Sequence, residues 1–404
     1  MTDVDGGSPQ RHVLVGVSGG IAIYKAVELV RLLTKEGFAP TVVTTEAGKR
    51  FIMPLTFAAV ARAGVLDDES SWQPSSGWFE HIEAARQADV MVIAPATANT
   101  VAKLAAGLAD NLLSAIYLAF RGPVIVAPTA NWAMYEHEAT QRNLQILAAR
   151  GVEVLPTGVG DLACGEEGAG RMASPEVIMA AVRRAYAGLA AGPLAERKIV
   201  VSAGGTREAI DAVRYIGNRS SGKMGRAVAD EAYLRGAEVV LVTTQPGDET
   251  AYRRVGVESA AEMAEAVARE SSDADVLVMA AAVADYRPES ASEGKLSRAD
   301  SPELTLRLVP TVDILAQTRR PGLVRVGFAA EAGPRIDRAR AKKAAKDCDL
   351  LVFNDILAAG IGIGSEENEI TILTPAREVH VPRTSKAACA RAILDEVETV
   401  VAGR

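Results

Sequence analysis

The chain alternates between two kinds of segment: short runs of apolar residues, and longer stretches in which apolar residues recur at helical spacing. His12–Val17 is an apolar run, and Ala22–Glu36 repeats apolar residues every three or four positions, as an amphipathic helix does. Gly37 is expected to cap this helix, and Pro40–Thr45 is a second apolar run. The pattern therefore predicts an opening βαβ unit, whose turn is a common place for a nucleotide-type ligand.

Two later apolar runs of the first half lead into polar turns. A buried parallel strand is predicted from Ala88 onward, and Pro123–Pro128 repeats the arrangement and delivers Asn131 and Met134 to the same edge. The turn after the first of these strands contains Thr97, Asn99 and Thr100. Since open α/β sheets bind ligands at the carboxyl ends of their strands, these side chains are candidates for a binding site.

The first half contains two further candidates for chemistry. Cys164 lies in Gly158–Gly170, which we expect to be a flexible segment in which exposure would suit a reactive thiol, although an inert loop cysteine fits equally well. His81 precedes a predicted helix, where a surface or capping histidine and a catalytic one are both compatible with the sequence. A helix over Pro175–Ala187 closes the region.

The second half repeats the alternation of strands and helices. Gly188–Glu196 is rich in Ala and Gly and contains Pro, so it is predicted to be a linker. The predicted strands are Ile199–Ala203, Ala237–Thr244, Ala274–Ala282 and Leu350–Asn354. We therefore predict an α/β protein with two doubly wound Rossmann-like domains, residues 11–187 and 197–404, after a disordered polar lead-in at 1–10.

The stretch Ser202–Gly225 has the composition of a polyanion cradle. Its glycines allow backbone N–H groups to approach phosphate oxygens, and a helical pattern follows it. Its cations are Arg207, Arg214, Arg219 and Lys223. Gly217–Lys223 also matches the start of a P-loop, but Met224 stands where a hydroxyl should bind magnesium and no apolar strand directly precedes Gly217. A nucleotide site of another kind is favoured, with a purely structural loop as the alternative.

Charged residues of the second half add to this candidate site. Asp285 follows a predicted strand, where a carboxylate can hold magnesium against phosphates or can simply cap a turn. Lys295 adds a cation, and Lys342 and Lys346 share one helix face, which would let both reach one triphosphate. A charged run of this kind is also typical of a solvated helix face.

Composition narrows the classes of function. The chain has 404 residues, 49% of them hydrophobic, and a net charge of −7, which argues against a general nucleic-acid binder. Its 3 cysteines are too few for a disulfide framework, as in a reducing cytoplasm. Neither a targeting segment nor an apolar run of about 20 residues is recognisable, so we expect a soluble cytoplasmic protein without a membrane partner.

Several long motifs in the same order resemble the CoaBC family, in which phosphopantothenoylcysteine decarboxylase is joined to phosphopantothenate–cysteine ligase. The resemblance covers the chain from about Arg11 to its end. The first-half motifs are Ser18-Gly-Gly-Ile-Ala-Ile-Tyr-Lys25, His81-Ile-Glu, Pro95-Ala-Thr-Ala-Asn-Thr100, Asn131-x-x-Met134 and Ala163-Cys-Gly-Glu-x-Gly-x-Gly-Arg-Met172. The second-half motifs are Ala203-Gly-Gly-Thr-Arg-Glu, Ile216-Gly-Asn-Arg-Ser-Ser-Gly-Lys-Met-Gly225, Ala280-Ala-Ala-Val-Ala-Asp-Tyr and Val326-Gly-Phe-Ala-Ala-Glu331.

The resemblance implies a flavodoxin-like, FMN-dependent decarboxylase for the first half. The substrate's terminal cysteine would be oxidised and would then lose carbon dioxide, with His81 as the base or orienting group in the oxidation and Cys164 as the proton donor in the final reduction. The carboxylate of the substrate would bind Asn131, next to Met134. The residues implied to bind FMN are Ser18, Gly19, Gly20, Ile21, Thr45, Thr97, Asn99 and Thr100.

For the second half the resemblance implies a ligase that uses CTP and Mg²⁺. The carboxylate of 4'-phosphopantothenate would attack CTP to give an acyl-cytidylate, from which L-cysteine displaces CMP, with Asn218 and Lys295 as catalytic residues. Asp285 would bind the metal. The implied CTP contacts are Met279, Ala280, Ala281, Asp285, Lys295, Thr311, Val312, Asp313, Ile314, Phe328, Lys342 and Lys346, and the implied substrate contacts are Gly205, Arg207, Asn218, Ser220 and Ser221.

The motifs depart from the family pattern at three places. Pro128-Thr-Ala-Asn131 differs just before Asn131, Thr97 replaces the commoner serine and keeps the hydroxyl, and Arg219 stands where a histidine is common. Two rival functions are an NAD(P)-dependent oxidoreductase, although G-x-G-x-x-G fingerprints are absent, and a flavoprotein subunit without turnover. If trimeric decarboxylase halves and dimeric ligase halves share one chain, closed symmetry favours a dodecamer.

Overall fold

The computed structural model describes residues 11–70, 79–161, 165–188, 192–247, 249–297, 303–333, 335–357 and 364–404. The chain forms two compact units, Met1–Leu189 with Glu249–Ala251, and Ala190–Asp248 with Tyr252–Arg404. The main division falls within the segment that the sequence suggests as a linker. The predicted lead-in at 1–10 and the candidate Cys164 lie outside the described residues.

The first unit alternates strands and helices for most of its length. Its strands are β1 (Arg11–Val17), β2 (Phe38–Thr44), β3 (Val65–Leu66), β4 (Val90–Thr97), β5 (Val124–Thr129), β6 (Glu153–Val154), β7 (Gly158–Asp161) and β8 (Glu167–Arg171). Its helices are α1 (Ile23–Lys35), α2 (Glu46–Lys49), α3 (Pro54–Ala61), α4 (Glu80–Gln87), α5 (Ala98–Ala106), α6 (Leu112–Ala119), α7 (Trp132–Glu136), α8 (Glu138–Ala149) and α9 (Pro175–Gly188).

The main sheet of the first unit is parallel, with the order β3-β2-β1-β4-β5-β6. Without the two-residue edge strand β3, the order is the 2-1-3-4-5 arrangement of flavodoxin-like folds. The predicted opening βαβ unit is confirmed as β1-α1-β2, and Gly37 follows α1 with φ of +80°. Because β1 and β4 are buried in the middle of the sheet, the turns after them share one edge, where the predicted polar residues lie.

The second unit has the same alternation, followed by two antiparallel strands. Its strands are β9 (Lys198–Ala203), β10 (Arg207–Ala209), β11 (Tyr215–Gly217), β12 (Glu238–Thr243), β13 (Arg253–Gly256), β14 (Val276–Met279), β15 (Tyr286–Pro288), β16 (Leu308–Pro310), β17 (Val324–Glu331), β18 (Leu350–Asp355), β19 (Glu367–Leu373) and β20 (Glu378–Ser385). Its helices are α10 (Lys223–Leu234), α11 (Ala260–Glu270), α12 (Ile314–Gln317), α13 (Ile336–Lys346) and α14 (Lys386–Ala402).

The main sheet of the second unit has the order β13-β12-β9-β14-β17-β18-β19-β20, parallel through β18 and antiparallel beyond it. Val200 and Leu277 point into a core shared with α11, α12 and α13. Ile199 and Val201 alternate to the other face, where α10 packs on β9 and on α14. The sheet therefore separates α10 and α14 from α11, α12 and α13, and both groups reach the same carboxyl edge.

Two features differ from the sequence-based expectation. The segment Gly158–Gly170, expected to be flexible, has its ends paired as the antiparallel hairpin of β7 and β8. The predicted strands of the second half also omit the parallel strand β17, which lies between β14 and β18, and the antiparallel strands β19 and β20. The alternation of apolar and polar residues in β19 and β20 marks a half-exposed pair rather than buried parallel strands. Across the described ranges, the structure contains no helix with the length and apolar composition needed to span a bilayer.

Candidate active sites

A cavity of about 820 Å³ lies at the carboxyl edge of the main sheet in the first unit. The turns after β1, β2, β4 and β5 form its walls, as expected for an open α/β sheet. All the residues implied to bind FMN line it, namely Ser18, Gly19, Gly20, Ile21, Thr45, Thr97, Asn99 and Thr100. Asn131 and Met134 line the same cavity.

A hydroxyl network joins the first and fourth strands at this cavity. Ser18 Oγ donates a hydrogen bond to Pro95 O at 2.7 Å and accepts one from Thr97 N at 3.1 Å. Thr97 Oγ1 lies 3.2 Å from Thr100 Oγ1 and caps α5. Hydroxyls and a helix N-terminus are suited to the oxygen atoms of an anionic ligand.

Close backbone packing explains the first glycine of the Ser18-Gly-Gly motif. A Cβ on Gly19 would lie 2.5 Å from Ala47 Cβ and 2.6 Å from Ala47 C, so no side chain fits there without moving α2. Thr45 caps α2, since its Oγ1 accepts from Gly48 N at 3.1 Å. Gly19 therefore allows the β1 and β2 turns to meet at one wall of the cavity.

Asn131 begins α7 and faces a carboxylate. Its Oδ1 accepts from Ala133 N at 2.9 Å, while its Nδ2 donates to Glu166 Oε2 at 2.7 Å. Trp132 Nε1 donates to the same oxygen at 2.9 Å. The capping bond fixes which end of the Asn131 amide is the donor, and that donor already holds a carboxylate in this structure.

Three cations that line the first cavity, Lys25, Lys103 and Arg171, received no role from the sequence. Lys25 Nζ donates to Met172 O at 2.8 Å. Burial lowers the pKa of Lys25, and the charge of Arg171 adds to this effect. Lys25 is the last residue of the first family motif. The motif therefore pointed to Lys25, although the type of residue alone did not suggest a role for it.

His81 does not line the first cavity of the single chain. It lies in the first turn of α4, half-buried, with its ring centroid 5.9 Å from that of Phe79. Phe79 is 71% exposed, so this part of the surface is apolar. The structure of the single chain therefore does not bring His81 together with the other implied residues of this site.

A second cavity, of about 630 Å³, lies at the carboxyl edge of the main sheet in the second unit. Among the residues implied to bind CTP, it is lined by Met279, Ala280, Ala281, Asp285, Thr311, Val312, Asp313, Ile314, Phe328, Lys342 and Lys346. Among the implied substrate contacts, it is lined by Asn218, Ser220 and Ser221. Residues from five separate sequence segments thus meet in one place.

The middle of the second cavity is formed by tightly packed backbone. Asn218 Nδ2 donates to Val283 O at 3.0 Å, and a Cβ on Gly205 would lie 2.3 Å from Asn218 O. Gly205 therefore lies behind Asn218 and supports it. Gly217 is the last residue of β11, which belongs to a two-stranded ribbon outside the main sheet. A P-loop follows a strand of the main sheet, so the match of Gly217–Lys223 to the P-loop motif is not accompanied by the P-loop structure.

Ion pairing orders the α13 side of the second cavity. Lys346 Nζ donates to Asp313 Oδ2 at 2.7 Å, and Asp313 Oδ1 caps α12 by accepting from Ala316 N at 3.2 Å. Burial opposes ionisation of Asp313, but the bonds from Lys346 and the backbone leave its pKa below the ordinary value. Asp285 is exposed at the rim of the cavity.

Lys295 and Arg207 lie outside this cavity. Lys295 is exposed in a loop whose next residue, Leu296, donates its N–H to Asp211 Oδ2 at 3.1 Å. The guanidinium of Arg207 lies over the Tyr215 ring at 5.2 Å from its centroid. Arg207 thus belongs to the β10–β11 ribbon, and the loop that contains Lys295 is bonded to it.

The comparisons with known proteins cover both units. A family model described as Flavoprotein matches residues 2–186, and one described as DNA/pantothenate metabolism flavoprotein C-terminal domain matches residues 194–401. The coenzyme A biosynthesis bifunctional protein CoaBC of Vibrio vulnificus is 42% identical over 97% of this chain and 98% of its own length. The CoaBC protein of Bacillus subtilis is 40% identical over 96% of each chain.

The chain belongs to the CoaBC family. It is therefore a bifunctional enzyme of coenzyme A biosynthesis, with a flavoprotein decarboxylase half and a ligase half. Among solved structures, the C-terminal domain of a CoaBC protein is 33% identical, covers 53% of this chain and 100% of its own, and has a TM-score of 0.45.

The ligase cavity of this CoaBC chain also contains residues that sequence reasoning missed. Asn354, Asn368 and Lys386 line it, together with Lys223, which the sequence suggested only as one cation of the cradle. Asn354 is the last residue but one of β18, a place where a side chain at the sheet edge is expected. Asn368 lies near the start of β19 and Lys386 directly follows β20. The sequence analysis did not predict these strands, so it carried no signal that placed the two residues here.

A preformed metal cage is not part of the ligase cavity. The described residues include no group of three or more His, Cys, Asp or Glu side chains placed to hold a metal ion. Mg²⁺ is commonly bound by one or two carboxylates together with substrate phosphates. Asp285 at the rim is compatible with a metal ion that enters with a nucleotide.

Proposed function

We propose that the second unit ligates L-cysteine to 4'-phosphopantothenate with CTP and Mg²⁺, and that the first unit decarboxylates the product to 4'-phosphopantetheine with FMN. The observation that supports this most directly is the convergence of the implied CTP contacts, apart from Lys295, in one cavity. The alternative of a dehydrogenase does not account for two such different cavities. A flavoprotein subunit without turnover does not account for the ligase cavity.

In the ligase half, the carboxylate of 4'-phosphopantothenate attacks the α-phosphorus of CTP and pyrophosphate leaves. Lys342 and Lys346 balance the negative charge of the triphosphate, and Asp285 holds the Mg²⁺ that accompanies it. The amino group of cysteine then attacks the acyl carbon, and CMP leaves with the electron pair of the broken bond. Asn218 lines the cavity and donates to the carbonyl oxygen as charge develops.

In the decarboxylase half, Ser18, Gly19 and Thr97 form a cradle that fits the phosphate of FMN. Bound FMN supplies the two-electron oxidation and later reduction of the substrate's cysteine moiety. Asn131 holds the substrate carboxylate through Nδ2, a role supported by the carboxylate of Glu166 at 2.7 Å from this atom. Cys164, outside the described residues, donates the last proton, and His81 acts in the oxidation.

The position of His81 supports an oligomer of decarboxylase halves. His81 is outside the cavity of its own chain but lies beside the exposed Phe79, so a neighbouring chain can bring it to FMN. With paired ligase halves, the assembly is a dodecamer. The small number of cysteines supports a cytoplasmic location.

The proposal is tested by product analysis on the full chain. The protein is incubated with 4'-phosphopantothenate, L-cysteine, Mg²⁺ and either CTP or ATP, and products are identified by mass. We expect the wild type to form CMP and 4'-phosphopantetheine. Cys164→Ser should form CMP but no 4'-phosphopantetheine, and should stop at the decarboxylated enethiol, at no more than one equivalent per flavin, with the remaining 4'-phosphopantothenoylcysteine unconverted. If the wild type releases no CMP and binds no flavin, the proposal fails and a dehydrogenase assay is the next experiment.

A further inference from the structure

A buried arginine lies beneath the ligase cavity. Arg325 is the second residue of β17, between β14 and β18 in the main sheet, and it is 5% exposed. It pairs in register with Leu277, which points into the core shared with α11, α12 and α13, so the side chain of Arg325 lies on the same face of the sheet. Gly327, two residues further on, lies on this face too and lines the cavity. A buried charge is costly unless its hydrogen bonds are satisfied, so the partners of Arg325 indicate its role.

The partners of the Arg325 guanidinium are the carboxyl ends of two helices. Its Nη1 donates to Leu315 O of α12 at 3.1 Å, and its Nη2 donates to Asp347 O, directly after α13. Nη1 also lies 3.5 Å from Lys346 O, and Nη2 lies 3.4 Å from Asp347 Oδ2. The last carbonyls of a helix have no partner within the helix and carry partial negative charge. One buried cation therefore joins the end of α12 to the end of α13.

The same two helices carry an ion pair of residues that are implied to bind the nucleotide. Lys346 is the last residue of α13, and its Nζ donates to Asp313 Oδ2 at 2.7 Å. Asp313 caps the first turn of α12, and both residues line the cavity. The carbonyl of Lys346 thus contacts Arg325 while its side chain reaches the cavity. A shift of α13 relative to α12 would move the ammonium group of Lys346 within the cavity.

The other polar links between these helix ends are more exposed than Arg325. The side chains of Lys346 and Asp313 are 32% and 44% exposed, and a bound triphosphate would compete with Asp313 for Lys346. Arg319, just after α12, pairs with Asp347, but these side chains are 62% and 63% exposed. Exposed ion pairs contribute little to stability, so neither pair can fix the two helices firmly. The charge-assisted bonds of the buried Arg325 are the stronger link.

We propose that Arg325 is a positioning residue of the ligase, which holds Lys346 where that lysine meets the triphosphate of CTP. This inference rests on the proposed ligase function. Arg325 lies below the cavity and bonds to backbone carbonyls, so it acts on the nucleotide only through α12 and α13. Because a displacement of about 1 Å at a binding group has a large effect on a reaction, loss of this link should impair the use of CTP.

The test measures CMP release by Arg325→Lys and Arg325→Met in the full chain. Lysine keeps the charge but lacks the planar fork, so it cannot bond to both helix ends as arginine does. We expect the KM for CTP to rise about tenfold, because the contact of Lys346 with the triphosphate is weakened. The KM for 4'-phosphopantothenate should change by less than about twofold, which also shows that the ligase unit of each variant is folded.

Arg320→Met is the matched control. Arg320 also donates to a carbonyl at the end of a helix, Ser271 O after α11, at 3.1 Å, and it does not line the cavity. Its loss should lower the melting temperature without changing the KM for CTP. A rise in the KM for CTP as large in Arg320→Met as in the Arg325 variants would overturn the inference.

A double-mutant cycle with Lys346→Met separates positioning from a general loss of stability. If Arg325 acts through Lys346, adding Arg325→Lys to a chain that already carries Lys346→Met should raise the KM for CTP by less than about twofold. A further tenfold rise in the double variant, or an equal rise in the KM for both substrates, contradicts the inference.

Calorimetry with inorganic tripolyphosphate and Mg²⁺ tests Arg325 independently of catalysis. We expect the wild type to bind tripolyphosphate and Arg325→Lys to bind it about tenfold more weakly, as Lys346→Met should. If the wild type binds tripolyphosphate but releases no CMP, the ligase proposal fails, while the difference in affinity still decides the role of Arg325. Equal affinities in wild type and Arg325→Lys, or no binding by either, would refute that role.

Discussion

At the scale of single residues, each cavity depends on a glycine that is packed so closely against its neighbours that a side chain would not fit. Gly19 touches Ala47 in the first unit, and Gly205 touches the backbone of Asn218 in the second. Neither glycine has a functional group of its own; each allows neighbouring polar residues to lie at the cavity. Substituting them therefore tests the shape of a cavity separately from its chemistry.

We predict that Gly19→Ala weakens FMN binding by roughly tenfold or more. The new Cβ would lie 2.5 Å from Ala47, so α2 and its cap at Thr45 must shift, and overpacking of this kind costs about 1–3 kcal/mol. Titration of the apoprotein by flavin fluorescence measures the effect. Gly64→Ala is the control, because a Cβ there meets nothing within 4 Å. Equal FMN affinity in Gly19→Ala and wild type would exclude α2 as a wall of the flavin site.

Residues at strand ends could be predicted from the sequence. A buried apolar run that ends in a polar turn indicates both where the strand ends and which side chains lie at that end. Thr97 and Asn131 were found in this way, and both line the first cavity. Asn368 and Lys386 could not be found, because the antiparallel pair β19–β20 positions both, Asn368 within β19 and Lys386 directly after β20, and no local pattern points to a ligand. The exposed position of Lys295 was also beyond the sequence, since tertiary bonds hold its loop to a distant turn.

At the scale of elements, the Asp211 carboxylate helps to fix the β10–β11 ribbon to the Lys295 loop, together with the bonds from Arg214 Nη2 to Leu296 O at 2.8 Å and from Ser292 N to Ile210 O at 3.0 Å. Asp211 accepts hydrogen bonds from Val213 N at 2.8 Å, Arg214 N at 2.7 Å and Leu296 N at 3.1 Å. The Arg214 guanidinium, with Nε at 2.8 Å, holds the pKa of Asp211 well below its ordinary value in spite of burial. The ribbon and the loop are therefore expected to move together.

We predict that Asp211→Asn lowers the melting temperature by several degrees at neutral pH, because charge-assisted bonds are lost. The folded pKa lies below the unfolded one, so this stabilisation is complete above the ordinary aspartate pKa of about 3.9 and is lost as pH falls through the folded pKa. The difference between wild type and variant should thus be constant from about pH 5 to 7 and shrink below about pH 4.

Thermal unfolding at a series of pH values measures this difference. Asp337→Asn is the control, since the Asp337 side chain is 91% exposed in its pair with Arg340 and its loss should matter little. A difference that grew on acidification would contradict an ionised Asp211 in the folded protein.

At the scale of the whole molecule, each unit has large apolar side chains that are exposed. In the first unit they include Met53, Leu55 and Phe79, none of which lines the cavity of that unit. In the second unit Val213, Tyr215 and Tyr286 are exposed on the two antiparallel ribbons. Because exposed apolar patches of this kind commonly mark interfaces, each unit has a surface suited to its own symmetric contact.

We predict that charges in the two regions dissociate the full chain into different species. Wild type should have twelve times the 42.4 kDa mass of one chain. Val213→Asp, on the ribbon, should leave trimers, since only the ligase pairs are broken, whereas Leu55→Asp should leave dimers. Native mass spectrometry distinguishes these species, with Gln145→Asp on the exposed side of α8 as the charge control.

Trimers of Val213→Asp should also retain FMN, because their decarboxylase contacts are intact, while Leu55→Asp dimers should lose it if a neighbouring chain completes the site. A wild type that is only a stable dimer would contradict the dodecamer and, with it, the delivery of His81 by a neighbouring chain in a trimer.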